Sequence, residues 1–216
     1  MALERRRMRE IPSDAIILTE EQALQYQTKI LNNWKATSDI FWYKYGSVFL
    51  GTATMLSGAY ANNYLRRKFK VMKFGRISSY LPISVVPAMM SVLFHHQFVL
   101  KNLVLSNDDT CPICMEVRAS CVQAASGIIL PVILAPLSTI ALVHKYSTYN
   151  MPYLTSEPLK VAKLLVEKMR PAAHKFFWLV IAHAALGSVV TFLEANSIFK
   201  VKNQLRKLEE EFEGKR

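Results

Sequence analysis

Residues 77–100 read ISSYLPISVVPAMMSVLFHHQFVL, and residues 122–143 read VQAASGIILPVILAPLSTIALV. Neither stretch contains Asp, Glu, Lys or Arg, and the first carries two histidines, His95 and His96. At ~1.5 Å per helical residue, each is long enough to cross a hydrocarbon core of ~30 Å. A buried helix of a soluble domain rarely runs so far without a charge. Two more windows behave alike: 45–64 has no acid or base, and 176–193 has only His183.

These windows predict an all-α fold, a polytopic membrane bundle of four transmembrane helices with amphipathic surface helices. The spans fall at about 46–65, 77–98, 122–143 and 176–198. Residues 1–44 form an N-terminal extramembrane segment with a short helix, 45–198 the transmembrane domain, and 199–216 a charged helical tail. Composition agrees. The 216 residues are 51% hydrophobic and 20% charged, against about 25% charged in soluble domains.

The window 46–65 is the most polar. Its membrane reading gains from Ser47 and Gly51, then Thr54 and Gly58, small residues one turn apart that let a second helix approach closely.

The formal charge of +11 raises nucleic acid or anionic lipid as partners. Its placement decides between them. Residues 66–76 hold Arg66, Arg67, Lys68, Lys70, Lys73 and Arg76 with no acid, and 144–175 is also strongly basic, carrying Lys160, Lys163 and Arg170 among others. The termini and 101–121 are close to neutral. Charge in alternate loops is the positive-inside pattern. It puts loops 66–76 and 144–175 on the negative side, with both termini and 101–121 opposite, and it leaves no folded basic domain to hold nucleic acid. No secretory signal precedes the first window, and Arg5, Arg6, Arg7 and Arg9 are diluted by acids, unlike a transit peptide.

Residues 81–87, LPISVVP, and 130–136, LPVILAP, share the pattern L-P-x-x-x-x-P. Pro82, Pro87, Pro131 and Pro136 each remove a backbone donor and kink a helix. Breaks at membrane depth persist where neighbouring helices satisfy the carbonyls. Paired broken helices are also how small-solute transporters build a midplane site, which is the alternative function. The midplane residues here are apolar, which favours packing.

Thr19 and Gln22 form a capping box that opens a helix to about Trp34. Aromatics 41–45 mark a headgroup-level belt. Between Pro158 and Pro171, Ala162, Leu165, Val166 and Met169 oppose Lys160, Lys163, Glu167 and Arg170, giving a basic amphipathic helix. The last span runs without a break into a tail where Val201, Leu205, Leu208 and Phe212 make a stripe.

Cys111 and Cys114 form a C-x-x-C motif. A thioredoxin-type site needs a βαβ context that is absent. A zinc site would need Cys121 and a histidine at unusual spacing. A disulfide or a plain thiol pair is the simpler reading. His183 reads as a hydrogen-bonding group between helices, and His95 and His96 as boundary residues without a special role. No phosphate loop, Ser-His-Asp set or paired membrane carboxylates appear, so nothing argues for catalysis, a cofactor or a metal.

The basic exit at Arg66–Arg67, the L-P-x-x-x-x-P motifs of spans two and three, and the C-x-x-C before span three occur in one order. In these features the chain resembles the transmembrane protein 126 family (A/B) of mitochondrial inner-membrane proteins over roughly residues 45–198. The resemblance implies a non-enzymatic assembly factor, a scaffold or chaperone for the membrane arm of respiratory complex I, in the mitochondrial inner membrane. The B type implies membership of the complex I intermediate assembly complex, beside a repurposed acyl-CoA dehydrogenase, the conserved signalling intermediate in Toll pathways and the complex I intermediate-associated protein. The A type implies a more distal membrane module. The basic loops would then face the matrix and hold complex I membrane-arm subunits, assembly factors or cardiolipin. Residues 101–121 would face the intermembrane space.

Overall fold

A computed structural model describes residues 17–105 and 111–214. The arginine-rich start, Arg5 to Arg9, lies outside the described residues. All regular structure described is helical. Helix α1 is Glu20–Asn32 and α2 is Phe41–Lys68. The two central helices are α3, Arg76–Leu105, and α4, Pro112–Tyr146. Helix α5 is Pro158–Met169, and α6 is Ala173–Glu213.

The capping box forms as the sequence requires: Gln22 N–H donates to Thr19 Oγ1 at 3.3 Å, and Thr19 N–H donates to Gln22 Oε1 at 3.0 Å. Two orphan donors are satisfied reciprocally.

Among the described residues, three helical stretches are long and apolar enough to cross a membrane: Arg76–Leu105, Pro112–Tyr146 and Pro158–Phe212. Helix α2, at 28 residues, is ~42 Å long, but its apolar content falls below that of the other three. It packs in among them, touching α3, α4 and α6.

The bundle buries a set of polar groups and turns many large apolar side chains outward. Fully buried residues include Thr54, Ser91, His95, Gln123 and Glu194, while Leu56, Met89, Leu93, Ile133 and Phe177 stand more than half exposed. This is the arrangement a hydrocarbon solvent imposes, since lipid welcomes apolar side chains and every polar group must find a partner within the protein.

Two of the prolines, Pro87 and Pro131, are absorbed by wide turns. Helix α3 opens into a π-helical turn at Leu81–Val85, and α4 at Ala125–Ile129. A proline cannot donate to the carbonyl four residues back and clashes with it. For Pro87 that residue is Ile83, and for Pro131 it is Gly127, so each wide turn covers the clash. Helix α2 supplies the partners. Ser57 Oγ–H donates to Gly127 O at 2.7 Å, and Gly58 lies flat against the Ile83 carbonyl, where a Cβ would collide with backbone. Pro136 sits inside α4 with no wide turn. A third π-helical turn, His96–Leu100, follows His95.

Two apolar clusters close the ends. One joins Phe69, Val71, Leu142, Val143, Val161 and Phe176. The other joins Leu31, Ile40, Tyr43, Leu100, Met115 and Val201. The α1 segment and the first turns of the tail therefore pack onto the bundle. The stripe divides: Val201 is buried and Leu205 packs behind it, but Leu208 and Phe212 face outward.

Candidate functional sites: a polar interior and a basic end

Glu194 and His95 meet in the interior, with Nε2 and Oε2 2.8 Å apart and both side chains at most 1% exposed. Helix α2 makes room for them at Gly46, where a Cβ would strike Glu194 Oε1 and Val190. Among the described residues, His95 Nδ1 and Glu194 Oε1 have no hydrogen-bond partner. This corrects the reading of His95 as an idle boundary residue. The π-helical turn after His95 keeps Val99 and Leu100 buried on the same side. His96 next to it is exposed.

Toward the bundle centre, Gln123 joins all four long helices. It accepts from Ser91 Oγ at 2.7 Å on α3. Its amide nitrogen lies 3.1 Å from Leu50 O and 3.2 Å from Thr54 Oγ1 on α2. The same nitrogen is 3.1 Å from His183 Nδ1 on α6. His183 thus bonds a neighbouring helix, as its position suggested. Gly127 lies against the His183 ring with no space for a side chain.

The sequence reading missed Glu194, Gln123 and Gly46. A signal was present: His183, Gly187, Thr191 and Glu194 recur every three to four residues, a polar and small stripe down one face of α6. Of the predicted packing residues, Thr54 enters the Gln123 network, Gly51 and Gly58 meet α3, and Ser47 is half-buried.

The two basic loops occupy one end of the bundle. Phe74 stacks on Tyr146 at 5.0 Å, Phe69 meets Tyr149 edge-on at 5.4 Å, and Tyr64 O–H donates to Lys168 O at 3.0 Å. Arg67, Lys68, Lys70, Lys73 and Arg76 are exposed, as are Lys160, Lys163 and Arg170.

Arg66 departs from the predicted contact set. It is 3% exposed and folds its own loop: Nη2 donates to Met72 O at 2.7 Å and Phe74 O at 2.6 Å, and Nη1 to Ser79 Oγ at 2.7 Å. Lys70 and Met72 have φ of 55° and 50°, a left-handed conformation that costs of order 1–3 kcal/mol per non-glycine residue. The buried guanidinium holds that strain and turns Lys70, Met72 and Lys73 outward.

Helix α5 is rotated relative to the predicted face. Val161, Leu164, Leu165 and Met169 pack inward, while Ala162 and Val166 are exposed. Val161 leads because the chain enters α5 from Met151, which joins the same cluster. Lys160 pairs with Glu157 on the first turn. Exposed Met72, Phe74, Leu159 and Val166 mix with the lysines, so the end is both cationic and apolar.

At the opposite end Cys111 precedes α4 and Cys114 sits in its first turn, both exposed. Cys114 S–H donates to Cys111 Sγ at 2.7 Å, which holds the Cys111 thiol below its ordinary range. Cys121, two turns on, is exposed and free. Among the described residues no three His, Cys, Asp or Glu cluster as metal ligands.

The geometry defines a class: a helical membrane protein whose interior polar groups bond mainly to one another and whose distinctive chemistry faces outward. The sequence model of the family described as Transmembrane protein 126 matches residues 22–208, and the chain belongs to that family. It is 34% identical over 213 residues to Transmembrane protein 126 of Drosophila melanogaster, covering 99% of this chain and 96% of the fly protein. It is 27% identical over 143 residues to the complex I assembly factor TMEM126B, mitochondrial, of Mus musculus, covering 66% and 61% of the two chains. Transmembrane protein 126A of Pongo abelii is 28% identical over 129 residues, covering 58% and 65%. No solved structure gives a significant match. The family and the apolar helices mark a membrane protein, and the mouse relative is named as mitochondrial.

Proposed function

We propose that this protein is an inner-membrane scaffold that helps to assemble the membrane arm of respiratory complex I, within the complex I intermediate assembly complex. The observation that carries this is the contrast between its interior and its basic end. Ser91, Gln123, Thr54 and His183 bond to one another inside, whereas Arg67, Lys68, Lys70, Lys73 and Arg76 have no acid among them and face outward. A scaffold works through such outward surfaces, and the mouse relative is named for complex I assembly.

In this reading α2 is the fourth span. Val48, Phe49, Met55 and Leu56 form an exposed apolar side on α2, and its other side supplies partners to three apolar helices. The basic end faces the matrix, and the termini with the cysteine loop face the intermembrane space, in line with the positive-inside bias. Exposed lysines beside Met72 and Phe74 suit cardiolipin, since phosphates meet ammonium groups while apolar side chains enter the interface. Complex I membrane-arm subunits and soluble assembly factors are the protein partners, and catalysis plays no part.

The test combines native-gel separation of mitochondrial membranes with mass spectrometry of each slice, for wild type and for R67E/K68E/K70E. Wild type co-migrates with partial complex I and is absent from the finished enzyme. The triple variant inserts but loses its partners. Unchanged partner recovery by an inserted variant would remove the basic end from the mechanism. Absence of wild type from every partial complex I would end the proposal.

A further inference from the structure

The scaffold reading makes no use of the two thiols at the mouth of α4. Cys111 stands just before α4 and Cys114 lies in its first turn; both are exposed, with sulfurs 2.7 Å apart. Pro112 occupies the first helical turn between them, so the backbone already holds the two residues on adjoining positions of a fixed turn. A dithiol so held loses little conformational freedom on closing.

We infer that Cys111 and Cys114 form a two-electron redox pair that is oxidised to a disulfide by exchange with an external disulfide, Cys111 attacking first. The Cys111 thiolate attacks one sulfur of the oxidant, whose S–S bond breaks and releases a thiolate. The result is a mixed disulfide on Cys111. Cys114 then loses its proton and attacks the Cys111 sulfur, breaking the mixed bond and releasing the second thiolate. Two electrons pass from the cysteine pair to the oxidant, and two protons pass to solvent and the released thiols.

The order follows from position: the two sulfurs share one close contact, and Cys111 is the one at the N-cap of α4. Unpaired N–H groups at a helix N-terminus stabilise negative charge. Cys121 sits two turns further along α4 and acts as an internal reference thiol.

The test equilibrates the full chain, in nanodiscs, with oxidised and reduced glutathione at a series of ratios, then quenches with a maleimide and reads intact mass. Wild type loses two maleimide sites together, with the loss of two hydrogens and no retained glutathione, while Cys121 stays labelled. Cys114→Ser accumulates glutathione on Cys111, several-fold faster than Cys111→Ser accumulates it on Cys114. Separate glutathione adducts on both thiols of wild type would overturn the pair. Equal trapping in the two single variants would overturn Cys111 as the attacking thiol. In mitochondria, the mass of the adduct trapped on Cys114→Ser identifies the oxidant as glutathione or a protein.

Discussion

Gly51 and Gly58 both face α3, yet alanine at the two positions should have very different costs. At Gly51 the nearest obstacle to a Cβ is Val92 Cγ2 at 2.6 Å, the end of a side chain that can rotate or tilt. At Gly58 the three nearest atoms are Ile83 O, Ser84 Cα and Ile83 C, all backbone and all inside ordinary contact, which begins near 3.4 Å. That backbone belongs to the wide turn before Pro87 and cannot retreat without drawing α3 away from α2. Overpacking costs about 1–3 kcal/mol. Gly58→Ala belongs toward the upper end, about 2–3 kcal/mol, so the folding equilibrium falls roughly 30-fold or more. Gly51→Ala should cost less than about 1 kcal/mol, under roughly fivefold. Reversible unfolding in mixed micelles, followed by helix content and by accessibility of Trp178, measures both. If Gly58→Ala were as mild as Gly51→Ala, close backbone packing at the proline break would not be what seats α2.

Glu194→Ala should cost about 3 kcal/mol in the same assay because it leaves His95 buried without its partner, whereas Glu194→Gln keeps a hydrogen-bonding group and should cost about 1 kcal/mol; equal effects would mean that the pair is not a unit. Ser57→Ala removes the partner of the Gly127 carbonyl and should cost about 0.6–1.7 kcal/mol, and a cost near zero would show that another group satisfies that carbonyl. Asp39 lies outside the spans, and its hydrogen bond from Lys200 at 2.7 Å holds its carboxyl below the usual value. A carboxylate with a folded pKa below its unfolded one stabilises above the unfolded pKa, and the contribution is lost as pH falls through the folded pKa. The protection factors of amides in the segment 36–40, taken against the intrinsic exchange rate at each pH, should therefore fall on acidification below about pH 4 in wild type, and Asp39→Asn should remove that fall.

Much of the bundle was legible because hydrophobic length is a one-dimensional property. Four windows without charge, the Thr19 capping box and the unbroken run of α6 into its tail can each be read without knowing what lies opposite. The alternating loop charge was equally local, and it anticipates that 66–76 and 144–175 occupy one end. Facing is different. The α5 reading put Ala162 and Val166 on the apolar face with Leu165 and Met169, but the cluster that Val161 joins with Met151 and Ala172 turns a different face to the bundle. Arg66 looked like its basic neighbours until the loop that it closes around itself was visible. Periodicity sets a stripe's width; the partner surface sets its phase.

Glu194 was hard to read for a related reason. It follows a long apolar run, so hydropathy assigns it to the boundary, where a carboxylate reaches water at no cost. Its burial depends on three remote facts: Gly46 leaves space on α2, His95 supplies a hydrogen bond from α3, and the Leu31–Tyr43–Val201 cluster covers that end. The same dependence explains why α2 belongs with the other long helices despite its polarity. Averaged hydropathy counts Thr54, Ser57 and the glycines against membrane insertion. In the bundle, Thr54 meets Gln123, Ser57 answers the carbonyl that Pro131 cannot serve, and Gly46 and Gly58 admit Glu194 and Ile83. Without α2, α3, α4 and α6 would each expose a polar group to hydrocarbon, at a cost of several kcal/mol for each one left unpaired. The polarity that makes α2 a weak span by itself is therefore what ties it to its neighbours.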